Sequence, residues 1–422
     1  MSVAAVMGRQ IDGFRGVLTI RDYRRLWLAQ VVSTFGDRFT QLGLTTLIFV
    51  TTGSEVGIGV VLSLTVAPQV AFSVLAGVAA DRVSRKRLLV TTDLVRAAIV
   101  LALAMWAGLP IAAIYLLTVA HATGTVFFTP TRYAMVPELV GSDRLLAANA
   151  LDETSQNTVD PLAYLAAGIL IGAAGLRLTF GVDALTFVVS ALLIGSMVDH
   201  GRARAAERTG ECARGLHRVD APRRSAFLSE AREGFAFIWE HPVLRANTVL
   251  LMLATLVASS EFPLSYMLVL EHWKKGPFGL GLIEAGLAAG VVLGGFLCGW
   301  FVGLTGRGLS IIIGLLATGI CMAAAALLPF APAVFAMAVS GVFNVFFFVP
   351  TITLQQEAAP DEIRARVLST RRMYTATTIL ASYVLATVLV RSVAAQDVLF
   401  AMGTGLAVLS LGALAFPVLR AR

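Results

Sequence analysis

Charged residues are scarce in this chain. They make up 14% of its 422 residues, whereas about 25% is usual in a soluble domain. Hydrophobic residues make up 57%, and the mean hydropathy is +0.80. The composition excludes an ordinary soluble protein, and it predicts that the lipid bilayer surrounds most of the surface.

Residue patterns that bind metals or nucleotides are also missing from the sequence. The three cysteines, Cys212, Cys298 and Cys321, form no CxxC pair, and neither an HExxH motif nor a GxxxxGK[ST] loop occurs. We therefore predict no metal, no cofactor and no enzymatic activity. The first 20 residues contain arginines but no apolar stretch before a cleavage site, so we expect no cleavable signal peptide.

Hydrophobic segments about 20 residues long recur along the whole chain. Each can cross a hydrocarbon core about 30 Å thick, and in lipid such a segment must be a helix because its backbone groups have to be satisfied internally. The sequence predicts an all-α membrane protein with twelve transmembrane helices, six on each side of an arginine-rich stretch. The predicted spans are 24–50, 56–80, 88–108, 110–131, 145–172, 177–198, 244–270, 278–303, 309–328, 332–354, 368–391 and 397–418.

The two halves resemble each other. The segment FFTPT at 127–131 recurs as FFVPT at 347–351, 220 residues later. Parallel six-helix repeats are one construction of secondary transporters. We predict pseudo-symmetric six-helix bundles over 1–198 and 244–422, joined by a cytoplasmic basic linker over 199–243.

The end of the linker has its own pattern. Apolar residues return at helical spacing, at Phe227, Leu228, Ala231, Phe235 and Ile238. An amphipathic helix on the inner leaflet fits, because a basic segment is attracted to anionic lipid. Nucleic acid is the other conceivable partner for a net charge of +7, and we do not expect it in a membrane protein.

Basic residues lie mostly in the loops of one face. The opposite face has only Arg177, Lys274, Lys275 and Arg391. Because positive loops stay in the cytoplasm, we expect both termini there. The predicted location is the plasma (inner) membrane, and we expect a monomer.

The loop after the second span carries a dense motif. Gly77, Asp81, Arg82, Arg85, Lys86 and Arg87 follow the pattern G-x-x-x-D-R-x-G-R-[KR]-R, with Ser84 in place of the second glycine. This loop resembles the signature of the major facilitator superfamily. The resemblance implies a cytoplasmic gate in which the acid pairs across the domain interface, and we expect Asp93 and Arg96 to join it. Anchoring by positive charge alone is the alternative.

A closer likeness is to the macrolide-efflux and enterobactin-exporter branch. Residues 22–44, 130–151, 180–194 and 233–245 carry it, and it implies export of small molecules. The glycine-rich antiporter motif is missing from the fifth span, where 160–164 read DPLAY, and the fourth span has His121 near the place of the antiporters' arginine. Proton antiport is therefore not implied by a motif.

Polar residues deep in the spans are the candidates for binding substrate and protons, because an ionisable group in lipid usually faces a cavity or a partner. Several recur on one helix face in spans one and five. The candidates are Asp37, Gln41, Glu153, Gln156, Asp160, Asp183 and Glu261. Structural alternatives stay open: Asp37 could pair with Arg38, and Asp160 could cap a break at Pro161.

Glycines at four-residue spacing in the eighth span predict close helix packing. Two rows occur, Gly286, Gly290 and Gly294, and Gly295, Gly299 and Gly303.

The predicted function is export of amphipathic, drug-like or macrolide-like molecules by a proton-coupled antiporter with alternating access. A siderophore exporter, a lysophospholipid carrier and a uniporter are alternatives within transport. A non-transporting membrane sensor is the alternative from another class.

Overall fold

A computed structural model describes residues 13–105, 108–198, 233 and 235–413, and all regular structure in this part is helical. Short helical segments cover 13–18 and 235–240. The main helices are α1 (Arg21–Thr52), α2 (Glu55–Arg82), α3 (Arg85–Met105), α4 (Ile111–Val140), α5 (Ser142–Gly195), α6 (Pro242–Ala258), α7 (Glu261–Met267), α8 (Gly276–Thr305), α9 (Arg307–Leu327), α10 (Phe330–Ala358), α11 (Asp361–Leu389) and α12 (Ala395–Ala413). A π-helical turn, Leu268–His272, continues α7.

Nine helical segments within the described residues are long and apolar enough to cross a membrane. Large apolar side chains on their outer faces are exposed; Phe296 is 78% and Phe335 71% accessible. Apolar surface on this scale calls for an apolar solvent. The chain is therefore a multi-pass, all-helical membrane protein, as the sequence predicts.

One of the nine segments is too long for a single crossing. The helix α5 has 54 residues, about 80 Å of helix against a core of about 30 Å. Gly175 breaks it with a φ of +78°, a conformation that favours glycine. The break separates two arms of spanning length, and it falls between the predicted spans 145–172 and 177–198.

The chain forms two compact units. The first contains the described residues of Met1–Gly43, Ala71–Ala163 and Ala174–Ala221. Its apolar core joins α1, α3, α4 and α5, with Leu26, Leu89 and Phe128 at most 3% exposed. The phenol of Tyr23 adds a hydrogen bond to the Ala148 carbonyl at 3.0 Å, which ties α1 to α5.

The second unit contains Leu44–Val70, Tyr164–Ala173 and the described residues of Pro222–Arg422. Within it, α5 and α8 meet at backbone contact, because a Cβ at Gly281 would lie 2.5 Å from the Tyr164 carbonyl oxygen. The predicted division at 1–198, 199–243 and 244–422 stays a prediction. Most of the predicted linker helix lies outside the described residues; of its described members, Ile238 is buried and Phe235 exposed.

The glycine prediction for α8 is confirmed for one row only. A Cβ at Gly290 would lie 1.9 Å from the Ala338 carbonyl oxygen of α10, and one at Gly294 would lie 2.7 Å from that of Val342. A Cβ at Gly295, Gly299 or Gly303 would have nothing within 4 Å. The prediction of close helix packing is therefore wrong for this second row. Neighbouring residues on a helix point about 100° apart, and the second row therefore turns away from α10.

We predict that Gly290→Ala lowers the stability of the protein by about 1–3 kcal/mol, because the methyl group has to push two helix backbones apart. The matched control is Gly295→Ala in the same helix, which fills open space and gains up to about 1 kcal/mol of helix propensity. Thermal unfolding of the purified variants in detergent measures both. Equal melting temperatures for the two variants would contradict the close contact of α8 with α10.

Candidate functional site

A buried arginine organises the polar interior of the first unit. Arg96 of α3 is 1% exposed and donates a hydrogen bond to Asp93. Its guanidinium lies 4.7 Å from the ring centroid of Phe128 and 4.3 Å from that of Phe187. Gly124 of α4 leaves room for the side chain, since a Cβ there would lie 2.8 Å from Arg96 Cγ. Arg96 is therefore held by one carboxylate, two aromatic faces and a small neighbour.

Two of the predicted carboxylates lie beside this arginine. Asp93 also accepts a hydrogen bond from the Ser190 hydroxyl at 2.6 Å. The Oδ1 atom of Asp37 is 3.6 Å from Arg96 Nη1 and 3.8 Å from Nε2 of His121. Within the described residues, three buried polar atoms of this group have no protein hydrogen-bond partner: Asp37 Oδ1, Arg96 Nε and His121 Nε2. Such atoms are rare in folded proteins and call for a functional explanation.

A third carboxylate, Asp183, comes from the second arm of α5 and is fully buried. It accepts hydrogen bonds from the Thr40 hydroxyl and, at 3.0 Å, from the Thr186 hydroxyl. Gly36 permits this approach of α1, because a Cβ there would lie 2.1 Å from Asp183 Oδ1. Asp183 forms no ion pair within the described residues. The cluster thus holds three carboxylates against a single arginine, and its carboxylates can bind protons.

A second polar group lies between α1 and α5 and is more open. Asp160 accepts two hydrogen bonds from Arg38, from Nε and from Nη2, each at 2.8 Å. The other terminal nitrogen of Arg38 donates to Gln41 Oε1 at 3.0 Å. The side chains of Arg38 and Asp160 are 27% and 26% exposed. Within the described residues, Arg38 therefore forms its ion pair with Asp160. Asp37, for which a pair with Arg38 was the structural alternative, lies in ion-pair distance of Arg96.

A narrow crevice runs between the same two helices. Gln156 is one of its lining residues, whereas Glu153 is exposed and accepts a hydrogen bond from the Asn157 amide at 3.5 Å. Arg132 of α4 forms a buried ion pair with Asp152 at the crevice wall. The lining residues are Gln30, Val31, Thr34, Asp152, Ser155, Gln156 and Val159.

Glu261 belongs to the second unit. It begins α7, directly after the turn at Ser259 and Ser260 that ends α6. Its carboxylate accepts a hydrogen bond from Ser265 at 2.7 Å. A π-helical turn follows α7, and such turns are frequent at functional sites. The structure therefore places Glu261 at an irregular point of its span.

The gate residues lie at the junction of α2 and α3. Arg85 forms an ion pair with Glu138 and donates to the Ala134 carbonyl at 2.8 Å, while Lys86 donates to the Met197 carbonyl at 2.5 Å. Arg87 is exposed, and a Cβ at Gly77 would meet nothing within 4 Å. The side chains of Asp81 and Arg82 lie outside the described part. Asp93 contacts Arg96 and Ser190, so its role in the gate stays a prediction.

Sequence reasoning did not identify several partners in these groups. Thr40, Ser190 and Glu138 carry no sequence signal, because hydroxyl and acidic groups at such positions are common. Arg96 did carry a sequence signal, because an arginine eleven residues inside α3 is costly unless it is paired. Within the described residues, no group of three or more histidine, cysteine or acidic side chains is arranged for a metal.

Comparison with known proteins identifies the family. The Major Facilitator Superfamily model matches residues 26–383. Macrolide efflux protein A of Streptococcus pyogenes is 24% identical over 353 residues, covering 82% of this chain and 83% of the relative. The multidrug efflux pump Tap of Mycolicibacterium fortuitum is 26% identical over 364 residues, covering 81% and 82%.

Solved structures agree in fold. A POT family transporter in complex with a thioalcohol-conjugated peptide gives a TM-score of 0.72 at 12% identity, with 95% of this chain and 97% of that chain covered. The nucleoside transporter NupG gives 0.71 at 14% identity, with 93% and 99% covered. The chain belongs to the Major Facilitator Superfamily, a family of transporters, and is similar to efflux pumps within it.

Proposed function

We propose that this protein exports amphipathic small molecules in exchange for protons, by alternating access. The observation that supports this most directly is the Arg96 cluster. Asp37 and Asp93 lie beside Arg96 inside a membrane protein, and Asp183 has no ion-pair partner among the described residues. Three buried polar atoms of the cluster have no protein hydrogen-bond partner in the described part. A buried excess of negative charge is costly, and bound protons remove it.

Asp183 is the proposed proton carrier. It is fully buried and held by two hydroxyl groups, without an arginine or lysine in ion-pair distance among the described residues. Asp93, by contrast, is neutralised by Arg96. Asp37 lies beside Arg96 and His121 and is proposed to exchange a proton with His121, whose Nε2 is 3.8 Å from Asp37 Oδ1.

The pair of Arg38 and Asp160, with Gln41 and Gln156, is the proposed substrate-facing group. Its side chains are partly exposed, so a ligand can reach them. A cationic amine on an amphipathic molecule can compete with Arg38 for Asp160. The similarity of the chain to a macrolide efflux protein and a multidrug efflux pump supports the proposal of a drug-like substrate.

The helix α1 links the two groups. Asp37 and Thr40 face the cluster, while Arg38 and Gln41, next to them in sequence, face Asp160. A proton that binds to Asp183 changes the hydrogen bond between the Thr40 hydroxyl and the Asp183 carboxylate. Because Thr40 belongs to α1, protonation then favours a different position of this helix. Substrate at Asp160 biases the same helix, and two ligands that bias one element are thermodynamically coupled. Glu261 is proposed as a further coupling group in the second half.

The proposed membrane arrangement has twelve spans with both termini in the cytoplasm of a plasma (inner) membrane, in a monomer. Counting the two arms of α5 separately, and including α1 and α11, which carry more charged residues, gives twelve. The basic loops set the orientation. Gly77, Asp81, Arg82, Arg85, Lys86 and Arg87 then form the cytoplasmic gate, with Asp93 beside it.

We predict that Asp183→Asn abolishes proton coupling but leaves the protein folded. The amide keeps the shape of the carboxylate, its oxygen still accepts from one threonine hydroxyl and its NH2 can donate to the other, but it cannot exchange a proton. Acid-loaded proteoliposomes are given erythromycin, a lipophilic cation, a catecholate siderophore or lysophosphatidylcholine, and lumenal pH is followed. In wild type the true substrate should make the lumen more alkaline. In Asp183→Asn the signal should fall to that of empty liposomes, while counterflow of labelled substrate continues.

The matched control is Asp397→Asn at the exposed start of α12, which should behave as wild type. Normal alkalinisation by Asp183→Asn would remove this carboxylate from the mechanism. Flux without any pH change in wild type would favour a uniporter, and binding without flux would favour a sensor. The compound that gives the largest pH change identifies the substrate class, and it therefore distinguishes a drug exporter from a siderophore exporter or a lysophospholipid carrier.

We predict that Asp160→Asn weakens the binding of a cationic substrate, whereas Arg38→Gln strengthens it because Arg38 no longer competes for Asp160. Each single variant should destabilise the protein by about 1–3 kcal/mol, because one charged group is left without its partner. The double variant should regain stability but not transport. Thermal melting and substrate uptake of the three variants test this. If the double variant transported like wild type, the pair would have only a structural role.

A further inference from the structure

Arg371 differs in its ion pairing from the other described arginines that are at least partly buried. Six of these form an ion pair with a carboxylate: Arg25, Arg38, Arg85, Arg96, Arg132 and Arg307. Arg371 of α11 is half-buried and forms no ion pair in the part of the chain that the structure describes. Its Nε atom is buried and has no protein hydrogen-bond partner there.

The groups beside Arg371 are polar and uncharged or basic. Tyr374, one turn along α11, is its electrostatic neighbour, together with Arg372. Gln355 of α10, 1% exposed, donates hydrogen bonds to the Tyr374 hydroxyl at 2.9 Å and to Thr248 of α6 at 3.3 Å. Three helices of the second unit thus form a fixed polar cluster that, among the described residues, contains no acid to neutralise Arg371.

A cation in this position is costly to keep. Arg371 lies 18 residues before the end of α11 at Leu389, about 27 Å along the helix. That distance puts it near the edge of a hydrocarbon core about 30 Å thick. An arginine near this edge can extend its charge toward the interface. Its buried Nε, however, still needs an acceptor, and the described part of the protein supplies none.

We propose that Arg371, supported by Tyr374 and Gln355, binds an oxyanion, either a carboxylate or a phosphate group, carried by a ligand. The planar guanidinium offers Nε and a terminal nitrogen as two parallel donors, which match two oxygens of such a group. The buried Nε then gains the acceptor that it lacks. This site goes beyond the proposed export of amphipathic molecules, and it depends neither on proton coupling nor on the direction of transport.

Two sources can supply the oxyanion at this depth. One is the headgroup of an anionic lipid, and the other is an acidic group on a small molecule. The test therefore uses free anions and lipid anions separately. Protein in an uncharged maltoside detergent is titrated with octanoate and with inorganic phosphate, and protein in phosphatidylcholine nanodiscs is compared with and without phosphatidylglycerol.

The variants are Arg371→Gln, which removes the charge, Arg371→Lys, which keeps the charge and loses the planar fork, and the exposed neighbour Arg372→Gln as control. We expect at least one probe to raise the melting temperature of wild type and of Arg372→Gln. Its apparent affinity should fall by about tenfold or more in Arg371→Gln, with Arg371→Lys in between. In anion-free buffer, Arg371→Gln should melt at or above the wild-type temperature, because the lost charge had no partner.

A response to octanoate or phosphate assigns a small-molecule anion, and a response to phosphatidylglycerol alone assigns a lipid headgroup. Three results would overturn the site. One is the absence of any response in wild type, and the second is an equal response in Arg371→Gln. The third is a lower melting temperature of Arg371→Gln in anion-free buffer, because Arg371 would then already have a partner within the protein.

Discussion

A charge that leaves water inside a membrane protein must be met by an opposite charge or by hydrogen bonds. In the first unit this constraint acts through Arg96, the largest fully buried side chain of the described chain. Its carboxylate partner Asp93 and its two aromatic neighbours meet most of the requirement. The small residues Gly36 and Gly124 follow from it, since any side chain there would displace Asp183 or Arg96.

The same constraint bears on the proposed coupling of proton and substrate through α1. The arginine fixes α3 against α4 and α5, so α1 is the element whose contacts to the cluster are least complete. Asp37 stands 3.6 Å from Arg96 and 3.8 Å from His121, beyond hydrogen-bond distance in both cases. Its neighbour Arg38, in contrast, donates two hydrogen bonds to Asp160 and one to Gln41. A helix with one satisfied and one unsatisfied face can shift when a proton or a substrate changes either face.

Much of the fold follows from the sequence because the bilayer imposes a length on each span. The predicted gap at 172–177 contains the break at Gly175, and the predicted polar faces of α1 and α5 do carry the polar groups. Helix ends are less predictable where charge continues a helix into water. The helix α11 starts at Asp361, seven residues before the predicted 368, since its first turns are rich in arginine.

Pairings between helices could not be predicted in the same way. Arg38 is adjacent to Asp37 in sequence, yet its partner Asp160 is 122 residues away. Which acid an arginine meets depends on the rotation of two helices, and an apolar pattern fixes that rotation only coarsely. The two glycine rows of α8 make the same point, because both have the right spacing and only one contacts α10.

The internal repeat shows which features the two halves share and which they do not. Thr131 and Thr351 each donate a hydrogen bond to the carbonyl four residues earlier, at 2.8 and 2.7 Å. Both follow a proline, which leaves a backbone carbonyl without its helical donor. In the second half, the Ser310 hydroxyl satisfies the Phe346 carbonyl that Pro350 frees, at 2.9 Å.

Charge, however, is distributed differently in the two halves. Asp152 of the first half forms a buried ion pair with Arg132, whereas the position 220 residues later is Arg372, beside Arg371. The threonine hydroxyl bond directly after the proline is therefore common to both halves, while the charge differs: within the described residues, three carboxylates lie around Arg96, and Arg371 has no acid as its partner. The two proposals follow this difference: protons are proposed to bind at the carboxylates around Arg96 in the first half, and an oxyanion is proposed to bind at Arg371 in the second.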